Sequence, residues 1–180
     1  MSEIKELYAI EWMGPYKSLD DICCRKDTEM CCIYLITGRI NYDRTKGIKY
    51  VGITKRYLED RLSDKDHQRK QEQIKEKQYW AGHFSVLSNN KLDKARNRER
   101  AELVENLIIR YLSCLPKVRI LNEKKTKKLP EKPIGIISRW QKRYNGNHRY
   151  NKPRILSSLP DVLLYENDEF WNAGRIKKVK

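Results

Sequence analysis

The chain has 180 residues, 39% of them hydrophobic and 35% charged, enough apolar material for a core beneath a heavily charged surface. Its formal net charge of +15 points to a polyanionic partner, nucleic acid before membrane, because neutralised phosphates release their counterions. No run approaches the roughly 20 apolar residues of a membrane span, and the acids Glu3 and Glu6 do not suit a secretory signal, so a soluble cytoplasmic protein with no membrane partner is expected.

Residues 1–30 read as an approach segment, broken at Met13-Gly14-Pro15, with Ser18 placed to cap a helical turn through Ile22. Cys31 to Thr37 and Ile48 to Thr54 are short, apolar and β-branched, and Gly38 and Gly47 bound their connection, which predicts a hairpin. Pairing about a centre near Tyr42 sets Tyr34 opposite Tyr50, with Gly52 beside them leaving room for an approach to the sheet. The five cysteines are odd in number, and Cys23-Cys24 and Cys31-Cys32 are adjacent pairs. Adjacent thiols chelate zinc poorly and do not form a secreted disulfide framework, so small buried thiols are the reading.

Lys55 to Asp64 predicts a short helix carrying Leu58, Arg61 and Leu62. The polar run from Asp64 to Lys77 is read as a solvated helix face, with an excursion over a ligand surface as the alternative, and Phe84 to Leu87 as a third strand. Asn89 and Asn90 end that strand. Asp93 to Leu112 is the clearest helix, since Val104, Leu107, Ile108 and Tyr111 repeat at helical spacing. Glu105 falls at the margin of that stripe, where a carboxylate needs a basic partner or a metal. Beyond Pro116, Lys124 to Lys128 form a basic loop. Residues 123–180 carry 15 Lys and Arg against 6 Asp and Glu, interleaved with Trp140, Tyr144, Tyr150 and Trp171. Such a mixture can grip phosphates and stack on bases, and Val162 to Tyr165 with Phe170-Trp171 can form a small core of the tail; both uses are expected.

Cys32-Ile33-Tyr34, Tyr50-Val51-Gly52, Lys55, Arg61-Leu62, His67, Glu105-Asn106-Leu107-Ile108-Ile109-Arg110 and Asn122 form an ordered set. It resembles the GIY-YIG nuclease superfamily of repair, homing and restriction endonucleases over roughly Cys31 to Asn122. Cys32 stands where the family has its first glycine. His67 lies further beyond Arg61 than the family's histidine lies beyond its arginine, and the stretch from Glu105 to Asn122 is longer than in the repair domain. The resemblance implies an α+β fold: a small core of three antiparallel strands flanked by helices over 31–122, with a basic C-terminal extension over 123–180.

The resemblance also implies a chemistry, hydrolysis of a phosphodiester bond in double-stranded DNA. Glu105 would hold one divalent ion, Mg²⁺ or Mn²⁺, completed by water and phosphate oxygens. Arg61 would contact the scissile phosphate. Tyr34 would be the general base, helped by Lys55 or by a relay through His67 or Tyr50, and Tyr50 would orient water or substrate. Asn122 would tie down the loop after the long helix. Arg139, Lys142, Arg143, Arg149 and Arg154 are the candidates for reaching base edges. A type II restriction-like enzyme is the first expectation, dimeric if its site is palindromic. A structure-selective, homing or repair nuclease is the alternative, as is a non-catalytic nucleic-acid-binding protein on the same scaffold.

Overall fold

The computed structural model describes residue 4 and residues 6–23, 33–41, 43–86, 94–122, 129–144, 147–149 and 152–173. The expected features at Cys24, Cys31 and Cys32, at Asn89 and Asn90, and in the basic loop 124–128 lie outside the described residues, as does the side chain of Cys23. In chain order the elements are β1 (Glu6–Tyr16), α1 (Leu19–Cys23), β2 (Ile33–Ile40), β3 (Asp43–Ile53), α2 (Leu58–Ser63), α3 (Lys65–Glu72), β4 (Ile74–Val86), α4 (Lys94–Cys114), β5 (Ile134–Tyr144) and β6 (Asn147–Arg149). A 3-10 turn at Arg154–Leu156, β7 (Val162–Glu166) and β8 (Glu169–Ala173) follow.

The small three-stranded core flanked by helices is not what forms. The strands build one mixed, curled sheet of order β3-β2-β4-β1-β5-β7-β8, with β6 hairpinned onto β5. The three expected strands, β3-β2-β4, are only one end of it. β1 continues the sheet antiparallel to β4, and β5 pairs with β1 in parallel. The supposed approach segment and the basic extension therefore both contribute strands to the sheet that holds the hairpin.

The physical reason lies in β1. Leu7 to Trp12 is almost continuously apolar, and Tyr8, Ala9, Ile10 and Trp12 are buried. Tyr8, Ile10 and Trp12 share the buried face, and Leu7 and Ala9 between them blur the alternation that marks a half-exposed strand. Pro15, which suggested a break, sits where the register between β1 and β4 shifts between Met13 and Tyr16, a place where a missing N–H is tolerated. β4 likewise starts ten residues before the expected third strand, because its exposed Lys75 and Glu76 disguise the first turns of a long strand.

Two apolar clusters sandwich the sheet. On one face α4 buries Val104, Leu107, Ile108 and Tyr111 against Trp12, Ile33, Leu35, Val51, Trp80 and Ile136. Ala101, Glu105, Asn106, Ile109 and Leu112 are buried as well, so α4 is enclosed on more sides than one apolar stripe requires. The curl explains this. Val51 of β3 belongs to the same cluster as α4, and at the opposite edge Phe170 meets Tyr111 ring to edge while Asn172 Nδ2 donates to Tyr111 Oη at 3.2 Å. The other face carries α1, α2 and α3, with Ile22, Leu58 and Leu62 packed on Tyr34, Ile36, Ile74 and Tyr79. Ser18 caps α1 as its sequence predicts, its Oγ accepting from Asp21 N–H at 3.1 Å.

Asn122 closes the β3 edge. Its Oδ1 accepts from Val51 N–H at 2.9 Å and its Nδ2 donates to the Val51 carbonyl at 2.7 Å, so the amide side chain mimics a neighbouring strand. Leu121 N–H adds a bond to the Lys49 carbonyl at 2.7 Å. Replacing Asn122 by Ala strands both polar groups of Val51. The variant is expected to lose about 1–3 kcal/mol, read as a lower urea midpoint at unchanged slope. An unchanged midpoint would show that the clamp is dispensable.

Candidate active site

Tyr34, Tyr50, His67 and Arg61 come together on the α2–α3 face of the sheet. The hairpin's turn lies where it is expected, but the register does not run straight. Tyr34 pairs with Gly52, and Tyr50 with Ile36, because extra residues on β3 are absorbed between Ile36 and Thr37 and again between Gly38 and Ile40. Tyr34 and Tyr50 are thus diagonal rather than opposite, and their rings stack with centroids 6.1 Å apart. Nor does Gly52 leave room for a ligand. The Tyr34 ring occupies that room: a Cβ on Gly52 would lie 2.3 Å from Tyr34 Cζ.

His67 completes the group from α3. The polar run that predicts a solvated face does form a helix, but it buries His67 (3% exposed) and Gln71. Tyr34 Oη and His67 Nε2 are hydrogen-bonded at 2.8 Å, and the imidazole edge meets the Tyr50 ring at 5.0 Å. Burial, with the charges of Arg61 and Lys70, pulls the His67 pKa down to about 4, against a smaller opposing effect of Asp64. Burial, then repulsion from a charged Tyr50, pushes the Tyr34 phenol well above its usual range, although Arg61 opposes this by charge and hydrogen bonding. Both shifts favour one arrangement. Both groups stay neutral, and with the imidazole proton on Nδ1 the phenol donates to Nε2.

Arg61 reaches this pair from α2. Its positive charge works against the rise in the Tyr34 pKa, and its Nη1 lies 3.3 Å from Asp64 Oδ2. It remains about a third exposed, so a phosphate can approach it. Lys55, expected to assist Tyr34, is exposed on the bend after β3, and Arg61 is the cation that acts on the phenol. Glu105 is 3% exposed on α4, and its charge contributes to raising the Tyr34 pKa. Asn122 acts on the β3 backbone and not on the phenols.

Among the described residues no three His, Cys, Asp or Glu side chains converge as a metal cluster. The ligand set implied by the resemblance needs only one carboxylate. The chemistry of the donors fits it: Glu105 is a hard oxygen ligand, and the adjacent Asn106 carries a buried Oδ1 with no hydrogen-bond partner. Of the candidate base readers, Arg139 is exposed on β5 with Nη1 3.9 Å from Glu11 Oε1, and Arg154 is exposed on the 3-10 turn. Lys142 and Arg143 on β5 pair by backbone with Arg149 and His148 on β6, and their side chains lie outside the described residues.

Two supporting residues, Gln71 and Asp64, escape a reading of the sequence. Gln71 Nε2 donates to the Leu62 carbonyl at 3.2 Å and its Oε1 accepts from Tyr79 Oη at 3.1 Å, which pins α3 to α2 and β4 one turn after His67. Asp64 holds Arg56 and Arg61 together. The i,i+4 spacing of His67 and Gln71, and the i,i+3 spacing of Arg61 and Asp64, are the signals available.

The His67 shift carries a stability consequence. Its folded pKa of about 4 lies below the ordinary value of 6.5, so between these pH values the unfolded chain binds more protons. The stability from burying a neutral imidazole is complete above about pH 6.5 and is lost as pH falls towards 4, by at most about 3 kcal/mol before solvent screening. The expected result is a falling melting temperature across that window, flattened in His67→Gln. A parallel fall in that variant would assign the loss elsewhere. Asp43, held down to about 2 by its hydrogen bond from Lys49, acts only at more acid pH.

No family model matches the chain, and neither a curated protein nor a solved structure does.

Proposed function

We propose that the chain is a divalent-metal-dependent DNA endonuclease of the GIY-YIG type, sequence-specific in the manner of a restriction enzyme. The observation that carries this reading is the convergence of Tyr34, Tyr50, Arg61 and His67, with the phenol and imidazole in direct hydrogen bond at 2.8 Å. Four side chains of three chemical types, from a hairpin and two helices, meet at one place, and each suits a part in phosphodiester hydrolysis.

The steps follow from the protonation states. A neutral Tyr34 cannot take a proton unless it gives one up. Water attacking the phosphorus passes its proton to Tyr34 Oη as Tyr34 passes its own to His67 Nε2, so no free phenolate accumulates. The hydroxide forms the new P–O bond, the bond to the 3′ oxygen breaks, and that oxygen takes a proton from solvent. Arg61 neutralises charge growing on the phosphoryl oxygens. The face of Tyr50 braces the imidazole so that Nε2 stays aimed at the phenol. Glu105 would hold a Mg²⁺ or Mn²⁺ ion, which would supply Lewis-acid stabilisation of charge on the leaving oxygen. Arg139, Lys142, Arg143, Arg149 and Arg154 are proposed to read the duplex.

The test is incubation of the protein with supercoiled plasmid and unmethylated genomic DNA, in Mg²⁺ or EDTA, beside Glu105→Ala. Discrete Mg²⁺-dependent bands, absent in the variant, are the expected result. Smearing would replace sequence specificity with nonspecific cutting. Binding without cutting would leave a nucleic-acid-binding protein on a nuclease-like residue set.

A further inference from the structure

Immediately after β3, Thr54 to Tyr57 form a short loop that leads into α2 and towards Arg61. This loop is braced at both ends. Thr54 Oγ1 accepts from Arg56 N–H at 3.1 Å and donates to the Arg56 carbonyl at 3.0 Å, closing a compact ring. The Arg56 guanidinium is tied to Asp64 at the far end of α2, on the carboxylate oxygen that also faces Arg61. Tyr57 passes its carbonyl to Arg61 N–H at 3.2 Å, and the next residue, Leu58, is fully buried.

Between these anchors the Tyr57 ring points away from the core. It is 58% exposed, the most exposed large hydrophobic side chain among the described residues. A lone exposed aromatic is unremarkable by itself. This one is different in three respects. Its backbone is held rigid, so little ordering is needed when a partner arrives. Lys55 and Arg56 flank it with positive charge. It also starts the helix whose Arg61 contacts Tyr34, so whatever covers the ring lies beside the group proposed for cleavage.

We propose that the loop Thr54–Tyr57 is a preformed stacking platform for DNA, with the Tyr57 ring against a base next to the cut phosphate and Lys55 on the flanking backbone. The inference rests on the nuclease reading and adds a contact to it. Aromatic rings stack on any exposed base face, so Tyr57 supplies affinity and register by wedging into a base step opened at the cut site. Sequence choice is left to groups that reach base edges.

The experiment measures binding, not cutting. A fluorescent 40-base-pair random-sequence duplex is titrated in EDTA, across a salt series, with the full chain and with Tyr57→Phe, Tyr57→Ala and Lys55→Gln. Tyr57 is exposed, so its variants are expected to melt with the parent. Tyr57→Phe should bind as the parent does, and Tyr57→Ala about tenfold or more weakly with an unchanged salt slope, because a ring and not a charge is lost. Lys55→Gln should reduce the slope of log affinity against log salt by about 0.9. Parent-like affinity in Tyr57→Ala, or an equal loss in Tyr57→Phe, overturns the platform while leaving the nuclease reading intact. A parent chain that binds no DNA overturns both.

Discussion

Replacing Gly52 by Ala is expected to lower the melting temperature by several degrees and to abolish DNA cleavage. A Cβ at this position would lie 2.3 Å from Tyr34 Cζ, 2.4 Å from Tyr34 Oη and 2.8 Å from Cε1, all far inside contact distance. The ring has no free direction in which to yield. Tyr34 is 1% exposed, stacked on Tyr50 and hydrogen-bonded to His67. Overpacking of this kind costs about 1–3 kcal/mol or more, and each kcal/mol moves the melting temperature of a domain this size by roughly 2–4 °C. Whatever relief the variant finds must move the phenol off His67, so activity falls with stability. The double variant Gly52→Ala, Tyr34→Ala separates the two effects. It should lose less stability than the two single losses summed and should not cleave, a coupling expected only between touching residues. A Gly52→Ala protein that melts with the parent would mean that the ring does not fill this space.

Tyr34→Phe isolates the chemistry. The ring, its stacking and its burial persist; one hydroxyl is gone. If Tyr34 moves the proton, single-turnover cleavage in saturating Mg²⁺ should fall by about 10²–10⁴, while DNA affinity in EDTA stays within a few-fold of the parent. Loss of the hydroxyl also leaves His67 Nε2 without its partner in a buried setting, costing about 1–3 kcal/mol of stability. The pH profile gives a second readout. Cleavage by the parent should fail as pH drops through about 4, where His67 becomes protonated and can no longer accept from the phenol. A Phe variant that cuts at the parent rate would move the general base elsewhere, with Tyr50 the next residue to replace.

The legible parts of this chain are those where local chemistry decides. The hairpin turn, the helix after it, the Ser18 cap and the stripe on α4 each follow from a few neighbouring residues. The register at Tyr34 does not, because it depends on where β3 absorbs its extra residues, and the buried Lys49 held by Asp43 lies at one of those places. His67 was placed by analogy at an unusual distance from Arg61. α2 ends at Ser63 and α3 begins at Lys65, so the chain turns at Asp64, and no spacing along a single helix describes where His67 lands. The sheet beyond β4 was illegible for a different reason. β1 buries Tyr8, Ile10 and Trp12 on one face, but Leu7 and Ala9 fill alternate positions, so its apolar run hides the period. Its partner β5 lies in a segment whose basic and aromatic composition suggested a surface for nucleic acid, although Ile134, Ile136 and Trp140 of that strand are core residues.

The parallel pairing of β1 with β5 joins Glu6 to Ile134 and Met13 to Gln141. These partners are separated by most of the polypeptide, so the contact is of the kind that slows folding, since a long loop must close before any bond rewards it. During synthesis β1 emerges first and must wait for residues 134–144 before its second edge is satisfied. Until then an apolar strand with one open side sits beside β4, a template for other nascent chains. A ribosome-bound intermediate stalled near Asn122 already contains Tyr34, Tyr50, Arg61, His67 and Glu105, yet it lacks the strand that closes the far side of β1. Maturation of the group around Tyr34 is thereby tied to completion of the C-terminal third, and a polypeptide released early should be cleared by proteolysis or aggregate before that group is held in a finished sheet.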